Sequence, residues 1–370
     1  MTIDSKSVTP LFEPWRLNRA DLSNRMAVAP MTRISATPAG VPTDTMVRYY
    51  ERFVQGGFGL VITEGIYTDQ AYSQGYTNQP GLSNLDQAKG WRPVVHATHA
   101  AGGKIVAQLM HAGALSQANR YRSETAGPSA VQPKGQQMVF YRGDGPYRLP
   151  RAMSEQEIVE AIDGFAQAAV FAVEVAGFDG VEIHGANGYL LDQFLTDYTN
   201  FRTDGWGGNI AGRLRLSAEV AKAVRRAIGP AVAVGLRISQ GKVNDFTHKW
   251  AEAEAGAATV FGTLGAVGLD YIHITEFEAW KPAFSESGSS LVKLARESNP
   301  TLTIVANGNL HDPDRAKQVL RDGADMVALG RGALANPQWP QRVKKGQELD
   351  KFDSALLSPL ATIKPSEVVL

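Results

Sequence analysis

Short runs rich in Val, Ile, Leu and Ala alternate along this chain with longer stretches in which apolar residues recur at helical spacing. The short runs are Met26 to Pro30, Leu60 to Glu64, Lys104 to Leu109, Gly180 to His184, Val232 to Ile238, Asp270 to Thr275, Leu302 to Ala306 and Asp325 to Leu329. Their near-continuous apolarity predicts strands buried on both faces, as in a parallel sheet. Between them, Ile158, Ile162, Phe165, Ala169, Ala172, Val173 and Ala176 share one helical face, and Ser154 with Glu157 reads as a capping box. Repeated strand and helix units with right-handed crossovers and a uniform composition close most simply as one (β/α)8 TIM barrel, a single domain over residues 1–370.

Two insertions interrupt this rhythm. Ala114 to Pro150, rich in Gly, Pro, Gln and Tyr, follows the third strand and is too long for an ordinary connection, which predicts a lid or excursion over the barrel mouth. Gln193 to Asn209, containing NFRTDGWGGN, follows the fourth. Both come after strands, so both are expected on the face where barrels place their active sites. Polar residues collect at the same ends: Met31, Thr32 and Arg33 on the first strand, Thr63 and Glu64 before Gly65 on the second, Gln108 on the third, His184 and Asn187 on the fourth, Arg237 on the fifth. Five strand ends directing polar groups at one mouth favour a site over unrelated interior hydrogen bonds.

The densest stretch is VEIHGANGYLLDQFL, Val181 to Leu195, which brings His184, Asn187 and Tyr189 into one short turn. Singly, each reads as a loop residue bonded to nearby backbone. Together, an imidazole and a carboxamide can donate to one carbonyl oxygen and a phenol can supply a proton, which suits reduction of a polarised double bond if a hydride source lies nearby. The seventh strand runs into Asn307, Gly308 and Asn309, and the eighth into Gly330 and Arg331 ahead of a short helical segment. Glycine-backed loops after these two strands are where barrels hold a phosphate, and Arg331 adds a charged fork. With Gln108 and Arg237 facing inward, the pattern describes a cofactor across the mouth. FMN fits better than pyridoxal phosphate, because no Lys stands at a predicted strand end to form the Schiff base. Gln108 suits the pyrimidine edge of the flavin, and Arg237 suits negative charge near N1 and O2 of the reduced ring.

Charge and composition narrow the field. Lys plus Arg and Asp plus Glu each number 37, which gives no electrostatic case for nucleic acid or an anionic membrane. The start MTIDSKSVTP lacks the apolar core of a signal peptide and no run approaches the roughly 20 apolar residues of a membrane span, so the expected location is the cytoplasm. Zero Cys excludes disulfides, iron-sulfur clusters, thiolate zinc sites and cysteine nucleophiles. His96 and His99 read as outer-helix residues and His111 as support for the loop after strand 3. His273 reads as either an interior histidine or a substrate contact. None of these groups into the ligand set of a catalytic metal, so no metal is expected.

Taken in order, NRMAVAPMTR (Asn24 to Arg33), QLMHAG from Gln108, HGANGYLLDQFL from His184, the NFRTDGWGGN loop, VGLRIS around Arg237 and ALGRGALANP from Ala328 resemble the Old Yellow Enzyme family of FMN-dependent NAD(P)H ene-reductases. The similarity runs from LFEPWRL at Leu11 to about residue 346. The resemblance implies that Ala29, Pro30, Met31, Thr32, Gly65, Gln108, Arg237, Gly308, Asn309, Gly330 and Arg331 contact a non-covalent FMN. It makes His184 and Asn187 the grip on the substrate's activating oxygen, Tyr189 the proton donor, and Tyr76 an aromatic that overhangs the flavin and touches substrate. It implies a two-step shuttle in which NADH or NADPH reduces the FMN, leaves, and is replaced by an alkene conjugated to a carbonyl or nitro group. Flavin N5 then delivers hydride to the β-carbon and Tyr189 protonates the α-carbon.

Three departures stand out. Thr32 stands where some relatives have Cys, implying a hydroxyl at flavin O4; Met110 stands where some have Trp; and Asp350 to Leu370 matches nothing in the classical members. Rival readings are an FMN-dependent reductase or oxidase of nitrate esters, nitroaromatics or amines, a metal-dependent barrel hydrolase, and a non-catalytic flavin-binding protein. The hydrolase lacks clustered ligands, and the last leaves the His184, Asn187 and Tyr189 cluster without a reason. The residues carry no preference between NADH and NADPH, or between monomer and homo-oligomer.

Overall fold

Eight parallel strands close on themselves in the computed structural model, which describes residues 9–369. They are β1 (Met26–Val28), β2 (Leu60–Ile62), β3 (Lys104–Met110), β4 (Gly180–Asn187), β5 (Ala233–Lys242), β6 (Tyr271–Thr275), β7 (Thr303–Asn307) and β8 (Met326–Leu329). Pairing of β8 with β1, Val327 against Met26, and of β2 with β3, Leu60 against Lys104, completes the ring. Each strand is followed by helix: α1 (Asp44–Gln55), α2 (Leu85–Ala100), α3 (Glu155–Val170), α4 (Ile210–Ile228), α5 (Ala253–Gly265), α6 (Leu291–Ser298), α7 (Pro313–Arg321) and α8 (Arg331–Ala335). This is the (β/α)8 barrel expected from the alternating pattern. The reading of the amino terminus rests on residues of which the first eight lie outside those described. Among the described residues no helix is long and apolar enough to cross a membrane.

The two-residue period of the strands sorts their side chains. Val61, Ile105, Val181, Ile183, Leu236, Ile272, Ile274 and Ile304 join the outer core under the helices. Leu60, Ile62, Val106, Ala233, Tyr271, Val305, Met326 and Ala328 form a second cluster inside the barrel with Leu17 and Leu22. Those two leucines come from an antiparallel hairpin, Trp15–Leu17 against Ala20–Leu22, which thus closes the amino-terminal end of the barrel. Two residues further along the inward rows the apolar filling gives way to Gln108, Glu182, Arg237, His273 and Asn307. The barrel is therefore apolar at its floor and polar at its mouth.

Strand ends differ from the sequence pattern where pairing outlasts the apolar run. β4 continues past His184 to Asn187 and β5 past Ile238 to Lys242, because Asn187 pairs with Lys242 beyond an irregularity in the ladder. The capping box at Ser154 is present, but the helical run to Ala176 is not uniform. Its last turn, Phe171–Ala176, is a π-helix ended by left-handed Gly177.

Thr63 and Glu64 correct the view that every polar strand end serves the mouth, and Arg33 borders the cavity without sending its charge there. Glu64 is fully buried and accepts from the backbone N–H of Arg33 at 2.9 Å and of Ile34 at 3.2 Å, while the Thr63 hydroxyl accepts from the Gln108 N–H. The Arg33 guanidinium turns away to the carboxyl-terminal tail, forking onto Glu367 at 2.6 and 2.5 Å and donating to Ala361 O and Thr362 O. Arg52 of α1 joins Glu367 at 3.2 Å. Burial works against the Glu367 charge, but Arg33 and Arg52 outweigh it and hold its carboxyl below the usual range. Removing one partner of a buried ion pair strands the other charges, so Glu367→Gln is expected to destabilise the fold by about 3–5 kcal/mol. Urea unfolding would show this as a lower midpoint at unchanged slope; an unmoved midpoint would mean the tail is only draped on the barrel.

Candidate active site

The polar inner row opens into a cavity of about 760 Å³ at the carboxyl ends of the strands. Ala29, Pro30, Met31, Thr32, Gly65, Gln108, Arg237, Gly308, Asn309, Gly330 and Arg331 all line it, and so do His184, Asn187 and Tyr189. The structure thus brings together fourteen residues scattered over 300 positions of sequence, as the closure of the barrel requires.

His184 is held by β4, buried, with its Nδ1 lacking a hydrogen-bond partner among the described residues. Burial, then the nearby Arg237 charge, then His273 push its pKa well below the ordinary histidine value, so the ring is neutral and keeps one donor and one acceptor. Asn187 adopts a left-handed backbone, φ 62°, which asparagine tolerates better than most residues. Its N–H donates to Ser239 Oγ and its carbonyl accepts from Val243 N, leaving the carboxamide without a partner among the described residues. The Tyr189 ring lies 5.0 Å from that of His184, and its hydroxyl is 2.5 Å from the Tyr76 hydroxyl.

Tyr76 stands differently from the expectation that it overhangs the cavity. It is fully buried and does not line the opening; its ring packs on Tyr141 at 4.7 Å and its hydroxyl reaches the site only through Tyr189. The place in the wall is taken by Tyr141, whose hydroxyl donates to Thr32 O at 3.3 Å. Tyr141 belongs to the insertion after β3, from which Gln136 to Tyr141 border the cavity. The insertion after β4 follows its strand on the same face but does not border the cavity. Arg202 instead donates to Pro128 O and Met153 O, and Phe201 N to Ser129 Oγ, so this loop buttresses the foot of the first insertion. The tail also contributes, with Leu357 in the wall and Ala361 N bonded to Phe140 O.

On the opposite side of the strand order, Gly308 takes φ 144°, and a Cβ there would meet Glu276 O at 2.2 Å, so only glycine fits. At Gly330 a Cβ would find nothing nearer than Met31 Sδ at 3.7 Å, an open cradle of bare backbone. Arg331 is exposed beside it and its guanidinium has no partner among the described residues. Arg237 is oriented by Asn307 Oδ1 at 2.8 Å and Thr275 Oγ1 at 3.1 Å, while its Nε is buried without a partner among the described residues. Burial lowers its pKa to about 10 against the fields of Glu182 and Tyr189, so it remains a cation at neutral pH. An open backbone cradle with an Arg at one end, and a buried cation with an unused donor at the other, fit the phosphate and the electron-poor ring of a flavin nucleotide.

Glu182 is the buried charge of the inner row that the pattern conceals. It lies inside an apolar run, and only its two-residue offset from His184 signals that it faces the same way. His273 resolves as an interior group, 2.8 Å from Glu182 and off the cavity wall. His111 accepts from Gly113 N and so does support the loop after β3, and His99 pairs with Asp179 at 2.7 Å.

Barrel, cradle and buried cation define a flavin-dependent barrel oxidoreductase. The chain belongs to the NADH:flavin oxidoreductase / NADH oxidase family, that of Old Yellow Enzyme, whose model matches residues 10–350. It is similar to flavin oxidoreductase hxnT of Emericella nidulans, 36% identical over 93% of this chain and 92% of that protein. A probable flavin mononucleotide-dependent alkene reductase of Leishmania infantum is 34% identical over 96% of each. Among solved structures, the Old Yellow Enzyme homologue of Zymomonas mobilis superposes with a TM-score of 0.86 at 31% identity, covering 97% of this chain and 98% of that one. Family membership makes the chain an oxidoreductase with a flavin cofactor and a nicotinamide reductant acting on small molecules.

Proposed function

We propose that the protein is an FMN-dependent ene-reductase that uses NADH or NADPH to saturate alkenes conjugated to a carbonyl or nitro group. The observation that carries this reading is the meeting of His184, Asn187 and Tyr189 on the wall of the cavity that also holds the Gly308 and Gly330 cradle. Gly308, Asn309, Gly330 and Arg331 would hold the FMN phosphate, Gln108 and Arg237 its pyrimidine end, and Ala29 to Thr32 with Gly65 the rest of the ring. Bound FMN supplies the carrier that takes hydride from the nicotinamide and passes it to the β-carbon of the alkene. His184 and Asn187 donate to the activating oxygen, where negative charge gathers as the β-carbon is attacked; such donors are worth roughly 3 kcal/mol each. Tyr76 donates to the Tyr189 oxygen, which leaves the Tyr189 proton free to reach the α-carbon. Residues 114–150 cover the mouth, and Gln136 to Tyr141 are their inner surface. A reductase of nitrate esters would use the two donors but leave Tyr189 idle, and a flavin carrier would leave all three idle.

The test is the purified protein itself. It is expected to be yellow with non-covalent FMN, and a colourless protein that cannot be reconstituted with FMN would sink the reading. Because Arg331 is exposed, its loss removes one charged hydrogen bond and no buried pair. Arg331→Ala should weaken FMN binding by about 1.5–3 kcal/mol, roughly 10- to 100-fold, in a fluorescence titration.

A further inference from the structure

Behind the cavity wall the barrel holds a carboxylate that the proposed chemistry leaves unused. Glu182, on β4 two residues before His184, is fully buried. Gln108 Nε2 donates to its Oε1 at 2.8 Å, the Tyr271 hydroxyl donates to Oε2 at 3.1 Å, and His273 Nδ1 lies 2.8 Å from Oε2. Room for the Tyr271 ring is made by Gly235, which pairs with both Glu182 and Tyr271; a Cβ there would fall 2.0 Å from the ring. The partners of this one carboxylate on β4 therefore come from β3 and β6, with Gly235 of β5 making room between them.

A barrel interior is ordinarily filled with branched aliphatic side chains, and an ion buried there carries a penalty of several kcal/mol. Here burial is outweighed by His273, Arg237 and the bond from Gln108, which hold the Glu182 carboxyl below its ordinary range. Two of the groups tied to Glu182 face the cavity: Gln108 through a hydrogen bond, and Arg237, one strand away, through its field. His184 and His273 are both disfavoured as cations by burial, so Arg237 and Glu182 are the opposed charges of this inner row. A cofactor ring seated on Gln108 and Arg237 would feel a cation backed by an anion.

We propose that Glu182 is a positioning residue of the flavin site which lowers the flavin reduction potential, by offsetting the Arg237 charge and locking the Gln108 amide toward the cavity. The inference rests on the reading of the cavity as an FMN site. Its test is spectroelectrochemical titration of the FMN-loaded protein. Glu182→Gln keeps the shape and removes the negative charge, so the reduced flavin should be favoured about tenfold more than in the parent, some 30 mV upward for a two-electron couple. Tyr271→Phe keeps the carboxylate and removes one of its donors, leaving its charge less neutralised; the reduced form should be disfavoured, roughly two- to threefold. Opposite shifts in the two variants support the assignment. A Glu182 that merely fills space would give shifts of the same sign or none, and either result overturns it. Should Glu182→Gln not fold, Tyr271→Phe decides alone, since an unmoved or raised potential is incompatible with the proposal. A parent protein that takes up no FMN would refute the site itself, whereas a yellow protein with unmoved potentials refutes only the role of Glu182.

Discussion

Replacing His184 and Asn187 together by alanine should slow enone reduction by about 1,000-fold or more while leaving flavin content unchanged. Both side chains line the cavity, and among the described residues neither the His184 Nδ1 nor the Asn187 carboxamide has a hydrogen-bond partner, so each is available to a substrate oxygen. The neutral state of His184 matters here. A ring kept uncharged by burial and by Arg237 donates a hydrogen bond without neutralising the charge that Arg237 addresses. Loss of one donor placed where charge develops costs about 100- to 1,000-fold, and the pair, acting on one oxygen, need not be additive. The proposed phosphate cradle of Gly308, Gly330 and Arg331 is not touched by the double substitution. Stopped-flow measurement separates the outcomes: the nicotinamide half-reaction should change far less than the enone half-reaction, and binding of phenol-like ligands should weaken. Unchanged enone turnover would remove both residues from the mechanism.

Tyr189→Phe should divide the reaction by substrate. The phenol is assigned only to protonating the α-carbon, and a positioned general acid contributes about 100- to 10,000-fold. Burial pushes its pKa up to about 12, against the bond from Tyr76 and the Arg237 charge, so it stays protonated across the neutral range and should add no alkaline limb there. Enones that need this proton should lose turnover within that range. Nitroalkenes, whose reduced anion is stable enough to leave and collect its proton from water, should be largely spared at the hydride step. Equal slowing of the nicotinamide half-reaction, or no loss with an enone, would make Tyr189 a structural partner of Tyr76.

Interactions that are short in sequence were open to direct reading. Ser154 caps the backbone only three residues away, and the eight apolar runs announce strands because a strand covered on both faces has no polar alternation. The cluster at His184, Asn187 and Tyr189 is likewise local, and the glycines at 308 and 330 mark bare backbone wherever the chain goes. Arg33 and Glu64 look the same as Gln108 and Arg237 in the sequence, each a polar residue at a strand end. Which of them faces the mouth depended on Glu367, more than 300 residues away, and on Tyr50 of α1.

By itself, then, the amino-acid sequence determined the barrel and fourteen of the residues that line its mouth, because burial on both faces and the two-residue period follow from side-chain pattern. Only the tertiary structure decided that Tyr76 lies behind Tyr189, that Tyr141 and Leu357 complete the wall, and that the loop after β4 braces the first insertion. It also decided that Glu182 stands at the centre of a network joining β3, β4 and β6. These are contacts between segments far apart in the chain, and a hydrogen bond or charge across such a separation leaves no periodicity behind; it exists only once the barrel has closed and water has been excluded from its interior.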